Sequence, residues 1–220
     1  MEYKLCILAA GSGKRMRPLT DNLNKALLPV NYKAAISHVI EKHRQDVEII
    51  IAVNYEKEKI KQYLECVHYD RKITYVDVPR INGEGAGPGF SLICCKDYLN
   101  KPFIFSTIDT LYPEDCPLPE TNWMGVSEVK DPVNFCTVEL KPSEKFIKSL
   151  LDKRKNGTNL AFIGIAGIYD HKTFFNSLLD DKTNINGEIQ VSNGFKGLIN
   201  KELKPIRFSW FDIGNIDGYY

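Results

Sequence analysis

No apolar run in this chain approaches the ~18 residues that a membrane-spanning helix requires, and its first residues lack a charged segment followed by a long apolar stretch and a cleavage site. These absences predict a soluble, cytoplasmic protein with no membrane insertion. An excess of one charge is also missing. With 29 basic side chains against 28 acidic ones, no global field favours nucleic acid, and any cationic site has to be local. The six cysteines, Cys6, Cys66, Cys94, Cys95, Cys116 and Cys136, include no C-x-x-C pair and no Cys/His cluster at zinc spacing, which argues against a structural zinc and for a reducing compartment. The vicinal Cys94 and Cys95 lie in an apolar segment and read as small core residues. The four histidines, His38, His43, His68 and His171, match no catalytic pattern.

There is no internal repeat, low-complexity tract or linker, and the stretch from Pro113 to Pro119 is too short to separate domains. With 43% apolar residues in 220, the expectation is one domain over 1–220, a nucleotide-binding half at about 1–112 and an acceptor-binding half at about 113–220.

What is present begins with a buried strand over 4–9 and a helix carrying Ile36, Val39, Ile40 and His43. A strand over 47–53 follows, then an amphipathic helix carrying Ile60, Tyr63, Leu64 and Val67, and a strand over 73–78. After a glycine-rich stretch at 82–89, a helix is predicted over 90–98 and a strand over 102–107 that delivers Asp109 just past its end. This alternation predicts an α/β fold with a Rossmann-like, mainly parallel sheet, helices on both faces, and ligands at the carboxyl ends of the strands. Segments 123–129, 134–140, 146–151 and 160–169 read as strands of a small substrate-facing β lobe. Helices are predicted over 171–179 and 188–199, and a strand over 206–211 delivers Asp212.

Chemistry concentrates at the first strand's end. Gly11-Ser12-Gly13 lets consecutive backbone N–H groups turn toward an anion, Arg15 offers a planar fork for phosphate oxygens, and Lys25 adds a point charge. The loop is neither a Walker loop, which needs four residues between its first glycine and Gly-Lys-Ser/Thr, nor a dinucleotide fingerprint, which requires glycine where Met16 stands.

The whole string is more specific than its glycines. Ala9-Ala10-Gly11-Ser12-Gly13-Lys14-Arg15-Met16-Arg17-Pro18-Leu19-Thr20, with Lys25-Ala26-Leu27-Leu28-Pro29-Val30 downstream, resembles the nucleotidyltransferase superfamily that makes nucleotide-activated sugars and related phosphoalcohols. The resemblance extends over almost the entire chain. It implies a glycosyltransferase-A-like fold, attack by a substrate phosphate on the nucleotide α-phosphorus, and release of pyrophosphate.

By that resemblance Arg15 and Lys25 are the catalytic cations, Arg15 on the β- and γ-phosphates and Lys25 near the α-phosphate or the incoming phosphate. Main-chain groups of Ala10, Gly11, Ser12 and Gly13 contact nucleotide, and Gly87 stands where relatives pack a glycine turn against the nucleobase. Asp109 and Asp212 match the metal aspartates, Asp212 within Trp210-Phe211-Asp212-Ile213-Gly214. Magnesium, which prefers hard oxygens and takes one or two carboxylates beside phosphate and water, is the implied cofactor. Lys153, in Asp152-Lys153, and Glu188, in Asn186-Gly187-Glu188, match the acceptor-binding elements. Three departures stand out: Asn24 replaces a common proline and alters loop stiffness, Ile108 replaces the glycine before the metal aspartate, and Arg154 replaces a proline after Lys153.

The implied partners are a nucleoside triphosphate and a phosphorylated sugar or small phosphoalcohol, in the context of surface-polysaccharide precursor synthesis; nucleobase, acceptor and homo-oligomer formation stay open. A non-catalytic nucleotide or sugar-phosphate sensor is the alternative, although it has little need of two metal aspartates. A glycosyltransferase would carry a D-x-D motif, and Asp109 is followed by Thr110-Leu111.

Overall fold

The computed structural model describes residues 1–153 and 157–220. Nine strands form the main sheet: β1 (Lys4–Leu8), β2 (Glu48–Val53), β3 (Ile73–Asp77), β4 (Phe103–Thr107), β5 (Trp123–Glu128), β6 (Cys136–Leu140), β7 (Ile147–Asp152), β8 (Leu160–Ile168) and β9 (Lys204–Arg207). Their order is β7-β6-β8-β4-β1-β2-β3, with β5 paired to β8 and β9 to β5.

The four strands β4-β1-β2-β3 run parallel, and Leu8, Ala52 and Thr107 come level at their carboxyl ends. In β1, β2 and β4 both faces are apolar, as parallel strands covered on both sides require. Alternate residues feed opposite cores. Cys6, Leu8, Ile50, Ala52, Phe103 and Phe105 pack on one face, and Leu5, Ile7, Ile49, Ile51 and Ile104 on the other. Helices α1 (Ala35–Glu41) and α2 (Lys57–Val67) close the second core with Ile36, Val39, Ile40, Ile60 and Leu64. Helices α3 (Pro88–Cys95), α4 (His171–Asp180) and α5 (Ser192–Leu198) close the first with Leu92, Phe174, Phe175 and Phe195. The result is the expected helix-sheet-helix sandwich, with β5 to β8 as its antiparallel extension.

Two elements differ from the sequence reading. Residues 188–199 are not one helix. Asn184–Ile185 and Glu188–Ile189 form a tight hairpin, and α5 starts only at Ser192. Asn186 and Gly187 sit at φ 55 and 81, the left-handed pair that a two-residue hairpin turn demands and that Asn-Gly supplies. The strand predicted over 206–211 stops at Arg207. Phe208 turns inward against Tyr112 and Trp123, the Glu114 carboxylate accepts the Ser209 N–H at 2.7 Å, and the chain leaves the sheet. Phe211–Asp212 then pairs with Thr110–Leu111 in a separate antiparallel ladder.

Candidate functional site

A cavity of about 410 Å³ opens at the carboxyl ends of β1 and β4. One wall is the segment after β1. Ala9 still donates to the Ala52 carbonyl at 3.0 Å, after which the ladder ends. Gly13 takes φ 61, and the Met16 N–H and the Thr20 hydroxyl close its carbonyl into a turn, both at 2.8 Å. The buried Met16 side chain anchors this single helical turn (Lys14–Met16), which leaves Arg15 on the cavity side. Among the described residues, the N–H groups of Ala10, Gly11, Ser12 and Gly13 have no protein acceptor. Unpaired donors in a row at a concave wall are a ready anion site.

The floor is ionic. Lys25 starts a short helical turn (Lys25–Leu27) capped by Asn24, and its Nζ lies 2.7 Å from Asp109 Oδ2. Asp109 follows β4 directly, as read from sequence. Asp212 reaches it through the ladder with Thr110–Leu111, supported by the Ile213 N–H donating to the Asp109 carbonyl at 3.2 Å. Asp212 Oδ1 accepts from the Gly214 N–H at 2.8 Å and Oδ2 from the Asn215 amide at 3.3 Å. Gly214 marks the point of convergence. A methyl group there would lie 2.6 Å from Asp212 Oδ1, 3.0 Å from Asp109 Oδ2 and 3.4 Å from Arg15 Nη2.

The two carboxylates titrate in opposite directions. Burial pushes the Asp109 carboxyl up, but the Lys25 charge and hydrogen bond outweigh it and hold the group below the usual aspartate range. Burial raises Asp212, and the charge of Asp109 adds to the rise against the Gly214 N–H and the nearby cations. No group of three or more metal-capable His, Cys, Asp or Glu side chains occurs among the described residues. The donor set is thus two hard carboxylates beside open cavity, which fits magnesium completing its shell with phosphate oxygens and water, and does not fit a closed zinc site.

The opposite wall joins the glycine-rich stretch to the Asn184–Ile189 hairpin. Gly85 donates to the Gly187 carbonyl and Ile189 to the Ala86 carbonyl, both at 2.7 Å. Gly87 stands at φ 109 just before α3, and a Cβ there would fall 2.8 Å from both Glu188 Cβ and the Ile189 carbonyl. Only glycine permits this backbone and this approach. Glu188 enters the cavity from the hairpin, not from the start of a helix.

Of the residues singled out in the sequence, Ala10, Gly11, Ser12, Gly13, Arg15, Lys25, Gly87, Asp109 and Glu188 all line this cavity, and Asp212 joins them at Gly214. Lys153 does not. It is exposed past the end of β7, where its N–H bonds the Phe135 carbonyl at 2.9 Å. Arg154 and Lys155 of the same basic run lie outside the described residues. Sequence reasoning missed Gly214, and it read Asn24 only as a change in stiffness. The signal for Asn24 was its residue type, a favoured cap directly before a helical turn.

Comparison with known proteins bears on the family and the fold. The family profile described as Nucleotidyl transferase matches residues 4–89. The chain is 35% identical over 217 residues to the bifunctional protein GlmU of Methanocaldococcus jannaschii, a match covering 94% of this chain and 50% of that protein. It is also 50% identical over 58 residues to the choline-phosphate cytidylyltransferase of Streptococcus pneumoniae, covering 26% of this chain and 25% of that one. The chain spans about half the length of the GlmU relatives it matches. A UDP-glucose pyrophosphorylase complexed with UDP-glucose superposes with a TM-score of 0.82 at 20% identity, covering 100% of this chain and 96% of that one. A putative glucose-1-phosphate thymidylyltransferase from Bacillus anthracis superposes with a TM-score of 0.80 at 23% identity, covering 98% and 92%. At these identities the two structures establish the fold, a mixed α/β sandwich of the glycosyltransferase-A-like kind.

Proposed function

Because the chain belongs to the nucleotidyltransferase superfamily, we propose that it transfers a nucleoside monophosphate from a nucleoside triphosphate to a phosphorylated sugar or small phosphoalcohol and releases pyrophosphate. The observation that carries this reading is the convergence of Asp109, Asp212 and Arg15 on Gly214, in the cavity walled by the unpaired N–H groups of Ala10 to Gly13.

Joining a phosphate monoester to a triphosphate brings anions together and needs no covalent nucleophile, so the demand on the protein is alignment and charge. The N–H groups of Ala10 to Gly13 bind triphosphate oxygens. Arg15 stabilises the departing pyrophosphate with its guanidinium fork. Lys25, poised in the cavity beside Asp109, offers its ammonium to the α-phosphate or to the incoming phosphate. Asp109 and Asp212 would hold magnesium, which when bound neutralises phosphate charge and orients the oxygens for in-line attack. Gly87 and its loop form the nucleobase side. Glu188 faces the acceptor and suits a hydroxyl or a cationic group, whereas Lys153, outside the cavity lining, is left out of the pocket. Synthesis of surface-polysaccharide precursors in the cytoplasm is the proposed setting.

The test is pyrophosphate release with magnesium, each of CTP, UTP, dTTP, GTP and ATP, and a panel of phosphorylated sugars and alcohols. Release with one pair, abolished by EDTA, is expected. Thermal protection by a nucleotide with no release from any pair would replace the enzyme with a sensor.

A further inference from the structure

Asn24 is 1% exposed, and its side chain meets three separate pieces of backbone. Its amide nitrogen donates to the carbonyls of Ala9 at 3.0 Å, Gly11 at 3.3 Å and Tyr55 at 2.7 Å. Its Oδ1 accepts from the Ala26 N–H at 2.9 Å and so caps the turn that carries Lys25. Tyr55 completes the pattern, because its N–H donates to the Ala10 carbonyl at 3.3 Å. The carbonyls of Ala9, Ala10 and Gly11 are thus all held by the protein framework, two of them by Asn24.

A trans peptide points its C=O and the following N–H in opposite directions. Holding the carbonyls of Ala9 and Gly11 therefore turns the N–H groups of Ala10 and Ser12 away from Asn24, and both residues line the cavity. The same side chain that seats Lys25 sets the direction of the donors across from it. Proline, common at this position in the family the chain resembles, could fill the backbone role, since Asn24 sits at φ −68. It could not hold the carbonyls.

We propose that Asn24 is a positioning residue for the triphosphate, which fixes the phosphate-binding N–H groups and the Lys25 turn through one buried amide. The proposal rests on the nucleotide reading of the cavity, and the experiment separates the two. Magnesium tripolyphosphate, which carries the phosphates without a base, is titrated calorimetrically into the wild-type protein and into Asn24→Asp and Asn24→Pro.

Asn24→Asp keeps the acceptor for Ala26 but sets a carboxylate against three carbonyls, and it is expected to bind tripolyphosphate about tenfold more weakly, the worth of one such hydrogen-bond arrangement. Asn24→Pro keeps the backbone angle but loses the cap on Ala26 and the hold on the carbonyls, and it is expected to fold with a lowered melting temperature and lose several-fold in affinity. In turnover assays both variants are expected to raise the nucleotide KM by a larger factor than the acceptor KM, a split that general loosening would not give. If Asn24→Asp does not fold, Asn24→Pro decides alone. Wild-type affinity in a folded Asn24→Pro overturns the role of the amide, whereas a wild-type protein that ignores tripolyphosphate overturns the nucleotide reading and the proposal with it.

Discussion

Lys25 Nζ lies 2.7 Å from Asp109 Oδ2, with the two side chains only 12% and 22% exposed. The pair places an ammonium in direct contact with a buried carboxylate, and Lys25 thereby favours the ionised form of Asp109. Removing the ammonium in Lys25→Ala is expected to lower kcat/KM by about a hundredfold or more, as loss of one electrostatic partner at such a site does. Stability supplies a second readout. Lys25 depresses the Asp109 pKa, so its contribution is fully present above the ordinary aspartate range and is lost as pH falls through the lowered value. The difference in urea stability between wild type and Lys25→Ala is therefore expected to be largest near neutrality and to shrink on acidification. A difference that stays constant with pH would remove the ion pair from the account.

Asp212 is displaced the other way, and the sign reverses. Burial and the neighbouring Asp109 raise its pKa, so its favourable contribution exists below the ordinary aspartate range and is lost as pH rises through the raised value. At neutral pH the ionised group opposes folding. Asp212→Asn keeps an acceptor for the Gly214 N–H and removes the charge. It is expected to melt at or above the wild-type temperature without metal while losing most turnover. Wild-type turnover, or a clear drop in melting temperature, would count against a carboxylate kept for metal.

The β4-to-Asp109 connection was legible because a continuous apolar run can only be a buried strand here, and the residue past its end must face the ligand side. Asp212 was legible only as a motif. Its placement depends on a two-residue ladder with Thr110–Leu111, about a hundred residues earlier, and a ladder that short leaves no periodicity in sequence. Glu188 was drawn into a helix because Ile189, Val191 and Phe195 have apolar spacing that tolerates one, although Asn186-Gly187 already announced the turn. The hold of Asn24 on Ala9 and Gly11 could not be read at all, because its acceptors are main-chain carbonyls and sequence does not say where a loop points them.

His43 lies outside the site and carries a prediction for the fold. It is 5% exposed, its Nδ1 meets the Tyr3 hydroxyl at 3.1 Å, and burial, with the charges of Arg71 and Lys42, pushes its pKa from 6.5 down to about 4. The folded protein thus refuses a proton that the unfolded chain accepts between those values. Stability is expected to fall across that window by up to roughly 3 kcal/mol, at 1.36 kcal/mol per unit. The check is urea unfolding of wild type and His43→Gln from pH 7 to 4.5. The variant is expected to show the shallower decline, and parallel declines would assign the acid sensitivity elsewhere.

Gly87 and Gly83 separate backbone strain from contact at the seam between the glycine-rich stretch and the hairpin. Both have positive φ, 109 and 84, so alanine at either position costs about 1–3 kcal/mol in strain. A Cβ at Gly83 meets nothing within 4 Å, whereas one at Gly87 would sit 2.8 Å from Glu188 Cβ and from the Ile189 carbonyl. Neither the backbone oxygen nor the hairpin can yield without moving Glu188 in the cavity. Gly87→Ala is therefore expected to raise the acceptor KM along with the nucleotide KM, and Gly83→Ala to lose stability with acceptor KM near wild type. Equal acceptor effects from the two substitutions would mean that the seam does not set the position of Glu188.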